Sequence, residues 1–186
     1  MTTATWVVLI IAIAAIVVAC FLAWKFRTRK ELRSRFGPEY DHLVRERGDV
    51  NRAEKELAYR ARRVEKFHIR PLNSEESQRF AAEWRAAQAR FVDEPRKAVA
   101  EADELVRGAM RARGYPTADD FDQLAADLSV DHPVVVDNYR AAHAIATRDA
   151  REPVNTEDLR IAMQHYRALF EDLLDRRVSH FEEVRR

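Results

Sequence analysis

The segment VVVDNYRAAHAIATRDAREPVNTEDLRIAMQHYRALFEDLL, Val134 to Leu174, holds two apolar stripes separated by one short break. Val135, Tyr139, Ala142 and Ala146 recur at intervals of three and four, as do Leu159, Met163, Tyr166, Phe170 and Leu173. That spacing marks one face of an α-helix. Between the stripes, REPVNTED (Arg151 to Asp158) supplies a proline and, in Asn155 or Thr156, a side chain able to cap a helix start. So short a connection returns the second helix along the first, so the two are expected to be antiparallel neighbours. The first helix is expected to start near His132, with Asp131 as its cap and Pro133 in its opening turn.

Toward the N-terminus the same pattern repeats. Phe121, Leu124, Ala125 and Leu128 share a face of a shorter helix that Thr117 can cap, after a stop at Gly114. Ala98, Ala102, Leu105, Ala109 and Ala112 form the stripe before it, opened by VDEP with Asp93 as cap. Phe80, Trp84, Ala87 and Phe91 form the one before that, behind Asn73 or Ser74. Large side chains on one stripe can thus meet small ones on the next, and Trp84, an apolar ring on a regular stripe, belongs to the core. Only four glycines occur in 186 residues, the six prolines fall where helices should begin or stop, and no alternating strand pattern remains.

Residues 25–70 read as a charged helical neck, with 15 Lys/Arg against 8 Asp/Glu, whereas residues 71–186 carry 17 against 23. Gly37 with Pro38, and Gly48 with Asp49, divide the neck into shorter helices. Val50, Leu57 and Val64, with Ala53 and Phe67, give the last of them a thin apolar seam. Acids interleaved with the bases, and the lack of a stacking or glycine-rich motif, argue for a solvated helix face and against a nucleic-acid site.

No charged residue precedes Lys25. TWVVLIIAIAAIVVACFLAW, residues 5–24, is long enough as a helix to cross the roughly 30 Å hydrocarbon layer, and its Val, Ile, Leu and Phe residues favour insertion by roughly 3–7 kcal/mol. Trp6 and Trp24 stand where interfacial anchors are expected. The cluster Lys25, Arg27, Arg29, Lys30, Arg33 and Arg35 follows directly, with no Lys or Arg before the span. It is expected to contact an anionic inner leaflet and to orient the chain with its N-terminus outside and the C-terminal body in the cytoplasm. VVAC resembles a lipoprotein box, but FLAW continues the apolar run beyond Cys20, the single cysteine, so no lipid anchor or disulfide framework is expected. Ala15, Ala19 and Ala23 form a small-residue stripe through which two such helices can approach as a homodimer. The fold class expected is therefore all-α: a single N-terminal transmembrane helix, a charged helical neck and an antiparallel helical bundle.

Chemistry is harder to find. His132 and His143 lie 11 residues apart, about 16 Å along one helix axis, too far to share a metal ion. Glu39 with His42, and Glu65 with His68, have the Glu-x-x-His spacing of di-iron bundles, but each set sits among the most charged residues of the chain, and no metal site is expected. No phosphate loop, nucleophile elbow or Cys/His cluster occurs, so no catalytic residue or cofactor is expected. Tyr139, His143, His165 and Tyr166 are the candidates to line a pocket if the last two long helices are antiparallel.

The stretches RFGPEYDHLV, FVDEPRKAVAEADELVRGAMRARGYP, DLSVDHPVVVDNYRAAHAIA and NTEDLRIAMQHYRALFEDLL give the chain, from Arg35 to Leu174, a resemblance to a family of short, single-span bacterial membrane proteins with an actinobacterial composition. The resemblance implies one shared fold and brings no activity with it. Two readings follow: a membrane-tethered cytoplasmic module whose helical body binds an unknown protein partner, or a helical enzyme or ligand-binding bundle whose pocket lies between the last two long helices.

Overall fold

The computed structural model describes residues 3–116 and 120–175; within the first helix, the side chains of residues 3–11, 14, 21 and 24 lie outside the description. The described chain is all-α, with no strand among the described residues. Among the described residues eight helices follow one another: α1 Thr3–Phe36, α2 Pro38–Arg47, α3 Val50–Val64, α4 Ser74–Arg90, α5 Pro95–Arg113, α6 Phe121–Asp131, α7 Val136–Arg151 and α8 Thr156–Leu174. They divide into two compact units, residues 1–58 and 59–186, with the division inside α3 rather than after residue 70. The last turns of α3 belong to the second unit because Arg60 donates to Ser129 Oγ at 3.2 Å and Arg63 Nε lies 2.9 Å from Asp127 Oδ1, both on α6.

In the first unit α1 runs unbroken through the apolar stretch into the basic one. Gly37, at φ 45°, ends it, and Pro38 opens α2. Gly48 closes α2 in the left-handed conformation, and the Asp49 carboxylate accepts from the Arg52 amide to start α3. Glu54 on α3 gathers two partners, Arg29 Nε at 2.6 Å and Tyr40 Oη at 2.8 Å. Among the described residues no helix is long and apolar enough to cross a membrane. Half of the residues of the expected span 5–24, with Trp6 and Trp24 among them, have side chains outside the description. Those described are exposed from Ala12 through Phe26, including Ile16 at 62 % and Phe26 at 68 %.

The second unit is a bundle of α4, α5, α7 and α8, with α6 and the end of α3 packed on it. Asn73 opens α4 through a capping box: its side chain accepts from the Glu76 amide, and Glu76 accepts from the Asn73 amide. Pro95 begins α5 behind Glu94, which makes no side-chain cap, so the cap expected at Asp93 is not used. Asn155 caps α8, and Asp120 caps α6, while Thr117, the expected cap there, lies outside the described residues. Trp84 is buried and stacks on Phe170, ring centroids 4.5 Å apart, an arrangement that adds roughly 0.5–1.5 kcal/mol beyond area burial.

Chain directions follow from the end contacts. Arg90 near the end of α4 pairs with Glu101 on α5, so these two are antiparallel. Arg96 at the start of α5 pairs with Asp149 near the end of α7, making α5 and α7 antiparallel as well. In turn, α7 and α8 are antiparallel across the short 152–155 connection, as expected. Thus α5 and α8 run parallel, and their C-terminal ends meet where the fully buried Arg113 donates from Nη1 to the Leu173 carbonyl at 2.9 Å.

One end departs from the sequence reading. Asp131 is the last residue of α6 rather than the cap of α7, and α7 starts at Val136 instead of near His132. Pro133 is the cause, because its ring disfavours helical backbone at the preceding residue, and His132 leaves the helix at φ −126°, ψ 48°. The displaced Asp131 accepts from Tyr115 Oη at 2.7 Å, and His132 Nδ1 pairs with Asp172 of α8. Helices α5, α6 and α8 therefore end together around Arg113. Burial lowers the Arg113 pKa, while Tyr115, Asp131 and Asp172 favour its charge. No carboxylate bonds to it among the described residues; its Nε and Nη2 have no partner there. Each helix C-terminus carries roughly half a negative charge, so three of them can hold one guanidinium.

If this is what stabilises the bundle, Arg113→Lys should remain closer to the wild type than Arg113→Met, and Arg113→Ala should lose about 2–5 kcal/mol through the added cavity. Chemical denaturation of the three variants checks this; a methionine variant as stable as the wild type would contradict it. A second expectation concerns the capping box. The Arg70 guanidinium, with the Asn73 amide, lowers the Glu76 pKa from 4.5 to about 2. A depressed carboxylate contributes stability above its unfolded value, so this contribution should be complete near neutrality and fade as pH falls from about 4.5 toward 2. Glu76→Gln should remove that part of the acid dependence in pH-resolved unfolding.

Candidate functional site

The polar side chains of the bundle concentrate where α5, α6, α7 and α8 face one another. Tyr139 and Tyr166 come from the apolar stripes of α7 and α8, are fully buried, and meet edge to face with ring centroids 6.2 Å apart. Among the described residues neither hydroxyl has a partner at full hydrogen-bonding geometry, though Asp103 lies close enough to the Tyr166 hydroxyl to act on it as an acceptor. Burial raises both phenol pKa values, and the Asp103 carboxylate on α5 raises them further. Asp103 itself is held by Arg107 Nε at 2.9 Å, one turn along the same helix. The two tyrosines are therefore neutral core members beside a part-buried ion pair.

His143, one turn after Tyr139, lies half-buried at the edge of this cluster. Its ring stacks on Phe121 at 3.6 Å and 8°, and Phe121 also packs on Tyr139 at 4.9 Å. Its Nε2 is 3.3 Å from Thr147 Oγ1. Burial lowers the His143 pKa, leaving the ring neutral at physiological pH. On its outer side His143 opens onto a cleft of about 570 Å³ between the start of α6 and the outer face of α7. By contrast, His165 faces a different neighbour, with Nδ1 2.9 Å from Asn138 Oδ1.

Tyr139, His143, His165 and Tyr166 therefore do not line one cavity: two are core, one borders a surface cleft, and one is engaged in a polar pair between α7 and α8. Asp103, Arg107 and Phe121 were not visible as members of the cluster. Asp103 and Arg107 are separated by one helical turn, a spacing common on any exposed helix, and only the packing of α5 against α7 and α8 gives them neighbours.

The basic cluster after residue 24 divides in two. Lys25, Arg27 and Lys30 are exposed. Arg29 is bonded to Glu54, Arg33 pairs with Asp41 at 3.2 Å and lies over the Tyr40 ring, and Arg35 lies over Phe36. The two Glu-x-x-His sets do not assemble either: Glu39 is fully buried, His42 lies 3.8 Å from Glu46, and Glu65 and His68 are exposed. Among the described residues no group of three or more His, Cys, Asp or Glu side chains could hold a metal ion. Against protein-family models, curated proteins and solved structures, the chain gives no match.

Because the Tyr139 hydroxyl makes no bond among the described residues, removing it should cost little. Tyr139→Phe is expected to change the unfolding free energy by less than about 1 kcal/mol, whereas Tyr139→Ala should cost about 3–5 kcal/mol as other buried aromatics do. A large loss in the phenylalanine variant, measured by thermal or denaturant unfolding, would instead mean that the hydroxyl is bonded.

Proposed function

We propose that the protein is a membrane-tethered helical module, held by α1 at the inner face of a cell membrane and presenting its bundle to a protein partner in the cytoplasm. The observation that carries this reading is the uncovered apolar length of α1. From Ala12 to Ala23 every described side chain is exposed, none is charged, and Ile13, Ile16, Val17, Val18 and Leu22 are each about half or more uncovered. A contiguous apolar surface of this kind on a soluble monomer is unfavourable, because every square ångström left in water forgoes roughly 25 cal/mol. Lipid removes that penalty.

The charge distribution supports the direction. Lys25, Arg27 and Lys30 follow the apolar length at once and, among the described residues, make none of the ion pairs or ring contacts that occupy Arg29, Arg33 and Arg35. Each exposed base that reaches an anionic leaflet contributes about 1 kcal/mol. Phe26 stands exposed among them, at the depth where an aromatic ring anchors in the interface. Ala15, Ala19 and Ala23 are exposed too, which leaves room for a second copy's helix within the bilayer. For the bundle, the net acidic composition of residues 71–186 and the filled core beside Tyr139 and Tyr166 favour recognition by its surface over a reaction in its interior.

The full chain is expected to sediment with membranes and to resist extraction at high salt and alkaline pH, while a variant lacking residues 1–24 should move to the soluble fraction with its helical content intact. Release of the full chain by salt alone would reduce the attachment to a peripheral one and overturn the tether. A variant with Lys25, Arg27 and Lys30 changed to Glu should invert or lose its orientation, read with a reporter fused after Arg186.

A further inference from the structure

The groove between α4 and α5 lies wholly in the second unit and is independent of the tether reading. It measures about 520 Å³, with the Phe80 ring and Ala87 at its base and Leu105, Gly108 and the exposed Ala86 along its walls. Gly108 shapes it, because a Cβ there would stand 3.3 Å from the Phe80 ring and press on it. A glycine inside a helix costs about 1 kcal/mol relative to alanine, and here it lets the ring lie against the backbone of α5. The rim does not select by charge. Arg90 pairs with Glu101, while Arg111 with Glu104 and Arg79 with Glu83 stand at 3.9 Å, so acids and bases are interleaved. An occupant is therefore held by apolar side chains.

The end of α8 lies close to this groove. Because α4 opposes α5 and α5 runs with α8, α4 and α8 are antiparallel, and Trp84 on one stacks on Phe170 of the other. Four residues back along α4 and four on along α8 bring Leu174 level with Phe80, at the end of the groove that Phe80 and Gly108 form. From Asp175 the sequence continues as RRVSHFEEVRR, residues 176–186, which lie outside the described residues. A helix with its side chains is about 10–12 Å across, so the path half-way round α4 is on the order of 16 Å, or about five extended residues. Counting five from Asp175 ends at His180. Phe181 then stands at the mouth of the groove, and Val184, three positions on, shares a helix face with it.

We propose that the α4–α5 groove is covered by the chain's own C-terminal segment, with Phe181 seated on Leu105 and Gly108 and Val184 reaching toward Ala86. Size favours this occupant over a separate partner. Ten residues line the groove, against roughly 20–30 a side in a stable interface between chains, so in trans it offers too little surface to hold a protein by itself. Tethering removes that difficulty. A segment joined by so short a linker is present at an effective concentration in the millimolar range, so a contact too weak for two separate chains is enough within one. The segment is then a built-in cover, and any other helix that uses this groove must displace it.

The test is cross-linking of the full chain in detergent micelles. In a Cys20→Ser background, which removes the single native thiol, cysteines replace Val184 and the exposed Ala86, and a short bis-maleimide is added. A link within one chain is expected, formed at a rate that does not depend on protein concentration. With the cysteine moved from Ala86 to the exposed Ala144 on α7, linking to position 184 should be about tenfold slower or more. Phe181→Ala, a change outside the bundle core, should slow the link to position 86 about tenfold, the loss of one buried aromatic contact, while Phe181→Leu should largely preserve it. Independently, deleting residues 176–186 should move the amide resonances of Leu105 and Gly108 and leave those of Ala144 and Thr147 in place. Equal linking at positions 86 and 144, a link formed only between chains, or amide resonances of Leu105 and Gly108 that the deletion leaves unmoved would each overturn the proposal.

Discussion

Burying Arg113 is the constraint around which the bundle is organised. A guanidinium with no exposure cannot be left uncompensated, since an unpaired charge in a protein interior costs several kcal/mol. Here the compensation is spread over the ends of three helices instead of residing in one carboxylate. The Leu173 carbonyl takes one hydrogen bond, and Asp131 and Asp172 contribute through space. Those acids are themselves fixed, one by Tyr115 and the other by His132. For the charge to be held, α5, α6 and α8 must all stop at the same end of the molecule. The parallel run of α5 and α8 and the early stop of α6 at Asp131 both meet that requirement.

The neighbouring chain is drawn to the same place. The Arg70 amide donates to the Arg113 carbonyl at 2.8 Å, and Gly114 caps α5 at φ 99°, where a side chain would run into the His68 backbone. Glycine is required at that position both for its backbone angle and for the closeness of the passing strand of chain. Two residues of sequence, Arg113 and Gly114, thus close the end of α5, tie down the 65–73 connection and draw in the end of α8. At the other end of the bundle the ties are exposed ion pairs such as Arg96 with Asp149, which fix direction more than they stabilise.

Helices and their stripes were legible because the signal is local. The α4, α7 and α8 faces follow from spacing, and Asn73, Pro95, Gly114 and Asn155 mark ends where their chemistry says they should. Arg113 was not legible. On its own helix it falls beside the Ala102, Ala109 and Met110 face, yet a basic residue in a last turn is read as a solvated response to the helix dipole, and only the partner helices reveal that it is inside. The start of α7 was misplaced for a related reason: Pro133 reads in sequence either as the first turn of a helix or as the stop of the one before it, and the Tyr115 bond to Asp131 that accompanies the second comes from sixteen residues away. As for the candidate site, Tyr139 and Tyr166 were found because both lie on apolar stripes, and for the same reason they proved to be core. His143 and His165 carry no mark in the sequence that separates a cleft histidine from one bonded to an asparagine.

On the proposed reading, the bundle is the part that recognises a partner and α1 is the part that decides where recognition happens. The two are physically distinct in composition, one uncharged from its start to residue 24, the other with a charged residue at about every third position. Cys20, the single cysteine, lies on the exposed apolar length of α1 and gives the most direct probe of that division. With the full chain in sealed vesicles, a membrane-impermeant maleimide should leave Cys20 unmodified until detergent is added, while a cysteine introduced in place of the exposed Lys97 should react from one side of the membrane only. Labelling of Cys20 in intact vesicles, at the rate of a water-exposed thiol, would contradict the account.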